Sequence, residues 1–247
     1  MHRFFVKKEQ IQEPYIKITG SDVNHIKNVL RMRPEEEITV SDGEKMEYRC
    51  YLESLEAEEI TAHIKWKEEA VIELPSKIYL FQGLPKNDKM ELIIQKTVEL
   101  GVAEIIPVAT KRAVVKLDGK KEAKKIERWQ QISQSAAKQS KRMYIPQVKS
   151  VMNFAQALEF AKSLDVLLIP YELAEGMNET RRIMESIKPG QSVGVFIGPE
   201  GGFAEEEVQA AMEQGAKAIT LGRRILRTET AGLTTLSILM YHLEQDI

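Results

Sequence analysis

From residue 77 onward, short continuous apolar runs alternate with longer segments of helical period. No other feature constrains the fold as much. The runs are Lys77-Ile78-Tyr79-Leu80-Phe81, Ile105-Ile106-Pro107-Val108, Val166-Leu167-Leu168-Ile169, Val193-Gly194-Val195-Phe196-Ile197 and Ala218-Ile219-Thr220-Leu221. A strand that is apolar at successive positions is buried on both faces, which is the signature of a mostly parallel sheet covered by helices. The intervening segments supply those helices. Asn87 or Asp88 can cap one carrying Met90, Ile93, Ile94 and Val98, closed by Gly101; further helices are expected over 126–139, 181–187, 204–214 and 230–243.

The first 72 residues read differently. Arg3-Phe4-Phe5-Val6, Tyr15-Ile16-Lys17-Ile18, Ile38-Thr39-Val40, 46–51 and the alternating 60–66 are short strand candidates. Asp42-Gly43 between two of them signals a hairpin. One helix, capped by Ser21 or Asp22 and stopped by Pro34, interrupts the strands. The expected organisation is a small β-barrel over 1–72, a charged linker near Lys67-Glu68-Glu69, and an α/β domain over 73–247.

Two junctions in the last third carry the functional signal. In an open α/β sheet, ligands bind outside the carboxyl ends of the strands. Gly198-Pro199-Glu200-Gly201-Gly202 follows one buried strand, and Leu221-Gly222-Arg223-Arg224-Ile225-Leu226-Arg227-Thr228-Glu229-Thr230-Ala231 follows the next. Glycines allow the backbone to approach a ligand closely. The helix after the first loop begins Ala204-Glu205-Glu206-Glu207, which suits the helix dipole and repels phosphate, and no Lys-Ser/Thr follows, so this is no nucleotide-phosphate loop. A tight turn with an ordinary cap would explain the glycines equally well. It would not explain three arginines and two large apolar residues in the second stretch. Ile225 and Leu226 can wall an adenine-sized pocket, and the arginines can hold phosphate or a base edge. Pairing of those arginines with Glu229 or nearby acids is the plainer alternative. Thr228 or Thr230 can cap the last helix.

Charge and composition narrow the partners. The net charge is −2, but residues 111–149 carry twelve Lys/Arg against three Asp/Glu, while 34–74 carry four against thirteen. A basic block in a neutral chain is either a solvated lysine-rich helix or a surface for a phosphate backbone. A single cysteine, Cys50, excludes an internal disulfide, and four scattered histidines offer no metal-ligand spacing. With no membrane-length apolar stretch and no signal-peptide pattern, the expectation is a reduced, cytoplasmic protein without metal or membrane partner.

GPEGGF at 198–203, LGRRILRTETA at 221–231, ELGV at 99–102, IIPV at 105–108 and SAAKQSKR at 135–142 together resemble the RsmE family, the 16S ribosomal RNA uridine-N3 methyltransferases of the SPOUT superfamily. His25 to Arg31 and Asp42-Gly43 also fit, so the resemblance spans essentially the whole chain; Glu35-Glu36 departs from it, where a Gly-Asp turn is expected. The resemblance implies a PUA-like barrel followed by an α/β domain with a deep trefoil knot. It implies S-adenosylmethionine held by Ile169, Pro170 and Glu172, by Ile197, Gly198, Pro199, Glu200, Gly201 and Gly202, and by Leu221, Gly222, Ile225, Leu226 and Arg227. It implies a homodimer with the site at its interface; the stripe Leu233, Leu236, Met240 and Leu243 serves either that interface or the core. Arg3 and Arg227 would stabilise a developing uracil anion, with Glu229 or Glu172 as candidate base. Arg3, Arg31, Lys111, Arg112, Lys138, Lys141, Arg142 and Arg224 would hold 16S rRNA, within the small ribosomal subunit. Two competitors stand beside this reading: an RNA-binding protein with an inactive methyltransferase fold, and a SPOUT enzyme acting on another RNA.

Overall fold

The computed structural model describes residues 1–117, 119–171 and 176–244. The chain divides into two compact units, Met1–Glu73 with Ala137–Ile145, and Leu74–Ala136 with Pro146–Ile247.

The first unit is built on β1 (His2–Phe5), β2 (Ile11–Gln12), β3 (Tyr15–Thr19), the short α1 (Ser21–Asn24), β4 (Glu37–Ser41), β5 (Met46–Leu55) and β6 (Glu59–Glu69). The strands form one sheet in the order β1-β4-β5-β6-β3-β2, antiparallel except for the β1–β4 pair. Alternation sends Ile16 and Ile18, Ile38 and Val40, Cys50 and Leu52, and Ile60 and Ala62 into a common core with Phe4 and Ile26. The Asp-Gly hairpin forms where expected: Asp42 Oδ1 accepts from the backbone N–H groups of Glu44, Lys45 and Met46, and Gly43 takes a φ of +79°. The expected helix is only one α-turn, continued by a π-helical turn over His25–Val29. Glu35 adopts a φ of +71°, the left-handed conformation that a glycine would take in this turn.

The second unit follows the βα alternation: β7 (Lys77–Gly83), α2 (Lys89–Glu99), β8 (Val102–Ala109), α3 (Gly119–Gln139), β9 (Gln147–Val148), β10 (Met152–Asn153), α4 (Phe154–Ala161), β11 (Val166–Pro170), α5 (Met177–Ser186), β12 (Ser192–Ile197), α6 (Glu205–Glu213), β13 (Lys217–Ile219) and α7 (Thr228–Leu243). All its strand pairs are parallel, in the order β10-β8-β7-β12-β11-β13, with β9 beside β8. From β7 the chain moves to β8 on one side and later fills the other side with β11 and β12. The order therefore reverses between β7 and β12, and such switch points open a crevice at the strands' carboxyl ends. On α7, Leu236 and Leu243 are core residues, whereas Leu233 and Met240 are half-buried.

Candidate active site

The carboxyl ends of β7 and β12 are locked together at the switch point. A Cβ on Gly83, the last residue of β7, would fall 2.6 Å from Pro199 Cδ and 2.7 Å from Pro199 N. Only glycine fits there. Gln82, fully buried beside it, donates from Nε2 to Thr228 Oγ1 at 2.9 Å, and Thr228 Oγ1 donates to the carbonyl of Gly198 at 2.6 Å. Thr228 is therefore not the cap of α7, as its type suggested. It is the first helical residue, Arg227 stands at the N-cap, and the hydroxyl is spent on joining α7 to the ends of β7 and β12.

Glu200 draws the Gly-Pro-Glu-Gly-Gly loop toward α2. Its carboxylate accepts from the backbone N–H of Lys86 at 3.1 Å and from Lys89 Nζ at 2.8 Å. Burial alone would push this carboxyl up, but the Lys89 hydrogen bond and the backbone donors outweigh it and hold it below the usual carboxylate value. Lys89, anchored by Glu200, is held above the usual lysine value. Lys89 Nζ also lies 3.5 Å from Glu229 Oε2 on α7. That oxygen is buried and has no hydrogen-bond donor.

The other junctions close around this point. Tyr171, just beyond β11, donates its backbone N–H to Ile219 at the end of β13. Ile169 and Ile197 are buried within the sheet, at the carboxyl ends of β11 and β12. Pro170, Gly198, Leu221, Gly222 and Leu226 are half-buried. Gly202 and Gly222 have φ values of +66° and +104°, and the space where a Cβ would stand is open at both. Open space beside exposed backbone is what a closely held ligand requires. Glu172 lies outside the described residues.

Arg223, Arg224 and Arg227 are exposed and make no side-chain hydrogen bond or ion pair with described residues. The plainer alternative, pairing with Glu229, does not occur, because Glu229 faces Lys89. In the single chain Leu226 is half-buried and Ile225 stands on the surface, 91% exposed.

Two of the arginines expected at RNA do not stand on the open surface. Arg3 and Arg142 are 8% and 3% exposed within the first unit. Arg3 pairs with Glu47 and donates to the carbonyl of Arg142 at 3.1 Å, and Arg142 pairs with Glu73 at 2.6 Å. A buried guanidinium needs a carboxylate partner, and these two are committed to theirs rather than offered to a phosphate. Lys138 is half-buried, paired with Asp22 at 2.8 Å and seated over the Phe4 ring. Arg31 and Lys141 are exposed, both with positive φ. In the second unit Lys111 pairs with Glu206 on the surface, and its backbone N–H donates to Glu207, the buried acid at the start of α6. Arg112 donates to the Gly201 carbonyl at 3.1 Å, bracing the loop from its other side. Among the described residues no cluster of His, Cys, Asp and Glu could hold a metal, and no helix is long and apolar enough to cross a membrane.

Sequence reasoning missed Gln82, Thr228 and Lys89 as organisers of the site. Gln82 had a signal, since a polar residue ends the apolar run 78–81 directly before a glycine. Lys89 had none.

The second unit is thus a parallel α/β domain whose switch point carries glycine loops, with exposed Arg223, Arg224 and Arg227 between β13 and α7. Residues 72–240 match the RNA methyltransferase domain family and 18–65 its PUA domain. The chain belongs to this RNA methyltransferase family. It is 42% identical to the ribosomal RNA small subunit methyltransferase E of Bacillus subtilis, over 99% of this chain and 98% of that one. It is 39% identical to the protein of the same name from Mesomycoplasma hyopneumoniae, over 96% and 98%. The crystal structure of the Neisseria gonorrhoeae ribosomal RNA small subunit methyltransferase E, bound to S-adenosyl methionine, superposes with a TM-score of 0.83 at 34% identity, covering 98% of this chain and 97% of the other.

Proposed function

We propose that this protein transfers the methyl group of S-adenosylmethionine to N3 of a uridine in the RNA of the small ribosomal subunit. The observation that carries the reading is the β7–β12 switch point with its glycine loops, in a chain that matches small-subunit methyltransferases along nearly its full length. The open faces of Gly202 and Gly222, with half-buried Leu221 and Leu226, suit a cofactor held against main chain. Bound there, S-adenosylmethionine supplies an electrophilic methyl on a sulfonium.

The residues of the chain must align the acceptor nitrogen and manage its proton. Alignment alone is worth many orders of magnitude when reacting atoms are held roughly 3–3.5 Å apart. Arginine stays protonated, so Arg227 cannot act as base. Exposed at the cap of α7, its guanidinium is suited to stabilise the uracil anion as charge develops. Exposed Arg223 and Arg224 are placed to meet RNA phosphates, and the target base reaches the crevice by leaving its stack. The knotted path of the C-terminal segment, the closure of the first unit's strands into a barrel, and a homodimer with the site at its interface belong to the same proposal. Ile225, 91% exposed, is apolar surface that a partner protomer or bound ligand would cover.

The test is methyl transfer from labelled S-adenosylmethionine to small subunits purified from cells lacking the modification. Incorporation into rRNA is expected. Cofactor binding without incorporation would overturn the substrate assignment, and absence of both would favour a non-catalytic RNA-binding protein.

A further inference from the structure

We infer that Glu229 accepts the N3 proton of the target base, and that Lys89 is the positioning residue that aims it. The inference rests on the methyltransferase reading above. Its observation is an imbalance in the crevice: two carboxylates, Glu200 and Glu229, share one lysine. Lys89 is closer to Glu200, at 2.8 Å, than to Glu229, at 3.5 Å. Glu200 has a second donor in the Lys86 backbone, whereas buried Glu229 Oε2 has Lys89 Nζ beside it at 3.5 Å, too long for a good hydrogen bond. An under-satisfied buried acceptor is costly, by about 1–3 kcal/mol when it has no donor at all, and a catalytic role is one reason such an atom is kept. The missing partner is an N–H donor, and N3–H of a uracil is one.

Position supports the assignment. Glu229 directly follows Thr228, whose hydroxyl is pinned between Gln82 of β7 and the Gly198 carbonyl. The backbone under Glu229 is thereby fixed against both strand ends of the switch point. Arg227, on the other side of Thr228, is free of side-chain partners among the described residues and can face the O2 or O4 edge of the same base. The step balances simply. The N3–H bond breaks, the proton forms an O–H bond on the Glu229 carboxylate, and the electron pair left on N3 makes the bond to the incoming methyl. The carboxylic acid then returns its proton to solvent.

The experiment compares wild type with Glu229→Gln on two RNAs, one natural and one carrying 5-fluorouridine, whose N3–H is more acidic. The isosteric amide keeps the shape and removes the proton acceptor. The expected result is a loss of turnover of at least about 100-fold on natural RNA, within the usual range for removing a general base. S-adenosylmethionine affinity by calorimetry and the melting temperature should stay close to wild type. The fluorinated RNA should narrow the deficit by about tenfold or more, because an acidic base needs less help. A deficit of equal size on both RNAs, or no deficit at all, overturns the proton-acceptor role. Lys89→Arg should retain most turnover and Lys89→Met should not; equal activity of the two would remove Lys89 from the account. If the wild type methylates an atom other than N3, the underlying reading fails and the proton-acceptor role falls with it.

Discussion

Thr228→Val is the sharpest probe of how the site is held together. The substitution keeps the volume of a side chain that is 5% exposed and removes only its hydroxyl. Two hydrogen bonds vanish, to Gly198 O at 2.6 Å and from Gln82 Nε2 at 2.9 Å. Each is worth about 1 kcal/mol net. Gln82 is fully buried, its Oε1 has no partner, and it would retain only the 3.0 Å bond to the Gly83 carbonyl. Leaving one of its N–H groups unpaired adds about 1 kcal/mol, for a total of about 2–3 kcal/mol. For a unit of this size that lowers the melting temperature by roughly 5–10 °C. Thr228→Ser keeps both bonds and loses one methyl, about 1 kcal/mol. Differential scanning calorimetry, with S-adenosylmethionine titrations on the same samples, reads both effects. The valine variant should melt well below the serine variant and bind the cofactor more weakly. A valine variant that melts within about 2 °C of wild type and binds equally well would show that Thr228 does not tie α7 to the strand ends.

Four further outcomes follow from the same geometry. Arg227→Ala should lower turnover by about 10²–10³-fold while changing cofactor affinity far less; parallel losses would contradict its role in stabilising the anion. Gly83→Ala places a methyl against Pro199 N, so it should cost about 2 kcal/mol or more and weaken cofactor binding, measured by denaturant unfolding and calorimetry. Glu200 is held below the usual carboxylate value, so its stabilisation is complete above the unfolded value of 4.5 and is lost as pH falls through the lower native value. Wild type should therefore lose thermal stability more steeply than Glu200→Gln as pH drops below about 4.5, and identical slopes would refute the anchoring role. Glu35→Gly should be neutral or stabilising by up to about 1 kcal/mol in urea melts, because relief of the positive φ offsets the entropy of glycine.

Much of the second unit was legible because its strands are unbroken apolar runs and its helices carry a clear period. The first unit was legible through alternation and one Asp-Gly turn. What escaped were features without periodicity. Met152-Asn153 and the helix after them went unread, although Asn153 and Gln156 form a capping box that the sequence displays. The two-residue strands β2, β9 and β10 are too short to show any pattern. The candidate site was legible in its loops and not in its wiring. Gly198 to Gly202 and the arginines after Leu221 stand out by type. The Lys89 bridge joins residues more than a hundred positions apart, and no local rule links them. The same limit hides the setting of Arg3 and Arg142, which look like basic surface residues until their burial against Glu47 and Glu73 is seen.

Methyl transfer to uracil N3 is decided by nucleoside mass spectrometry of small-subunit RNA after incubation with the protein and S-adenosylmethionine, paired with reverse transcription across the same RNA. A methyl on N3 blocks the Watson–Crick edge of uracil, so the account predicts 3-methyluridine and a protein-dependent stop at one position. A methyl found on ribose or on another base, or no methylated nucleoside despite cofactor binding, would contradict it.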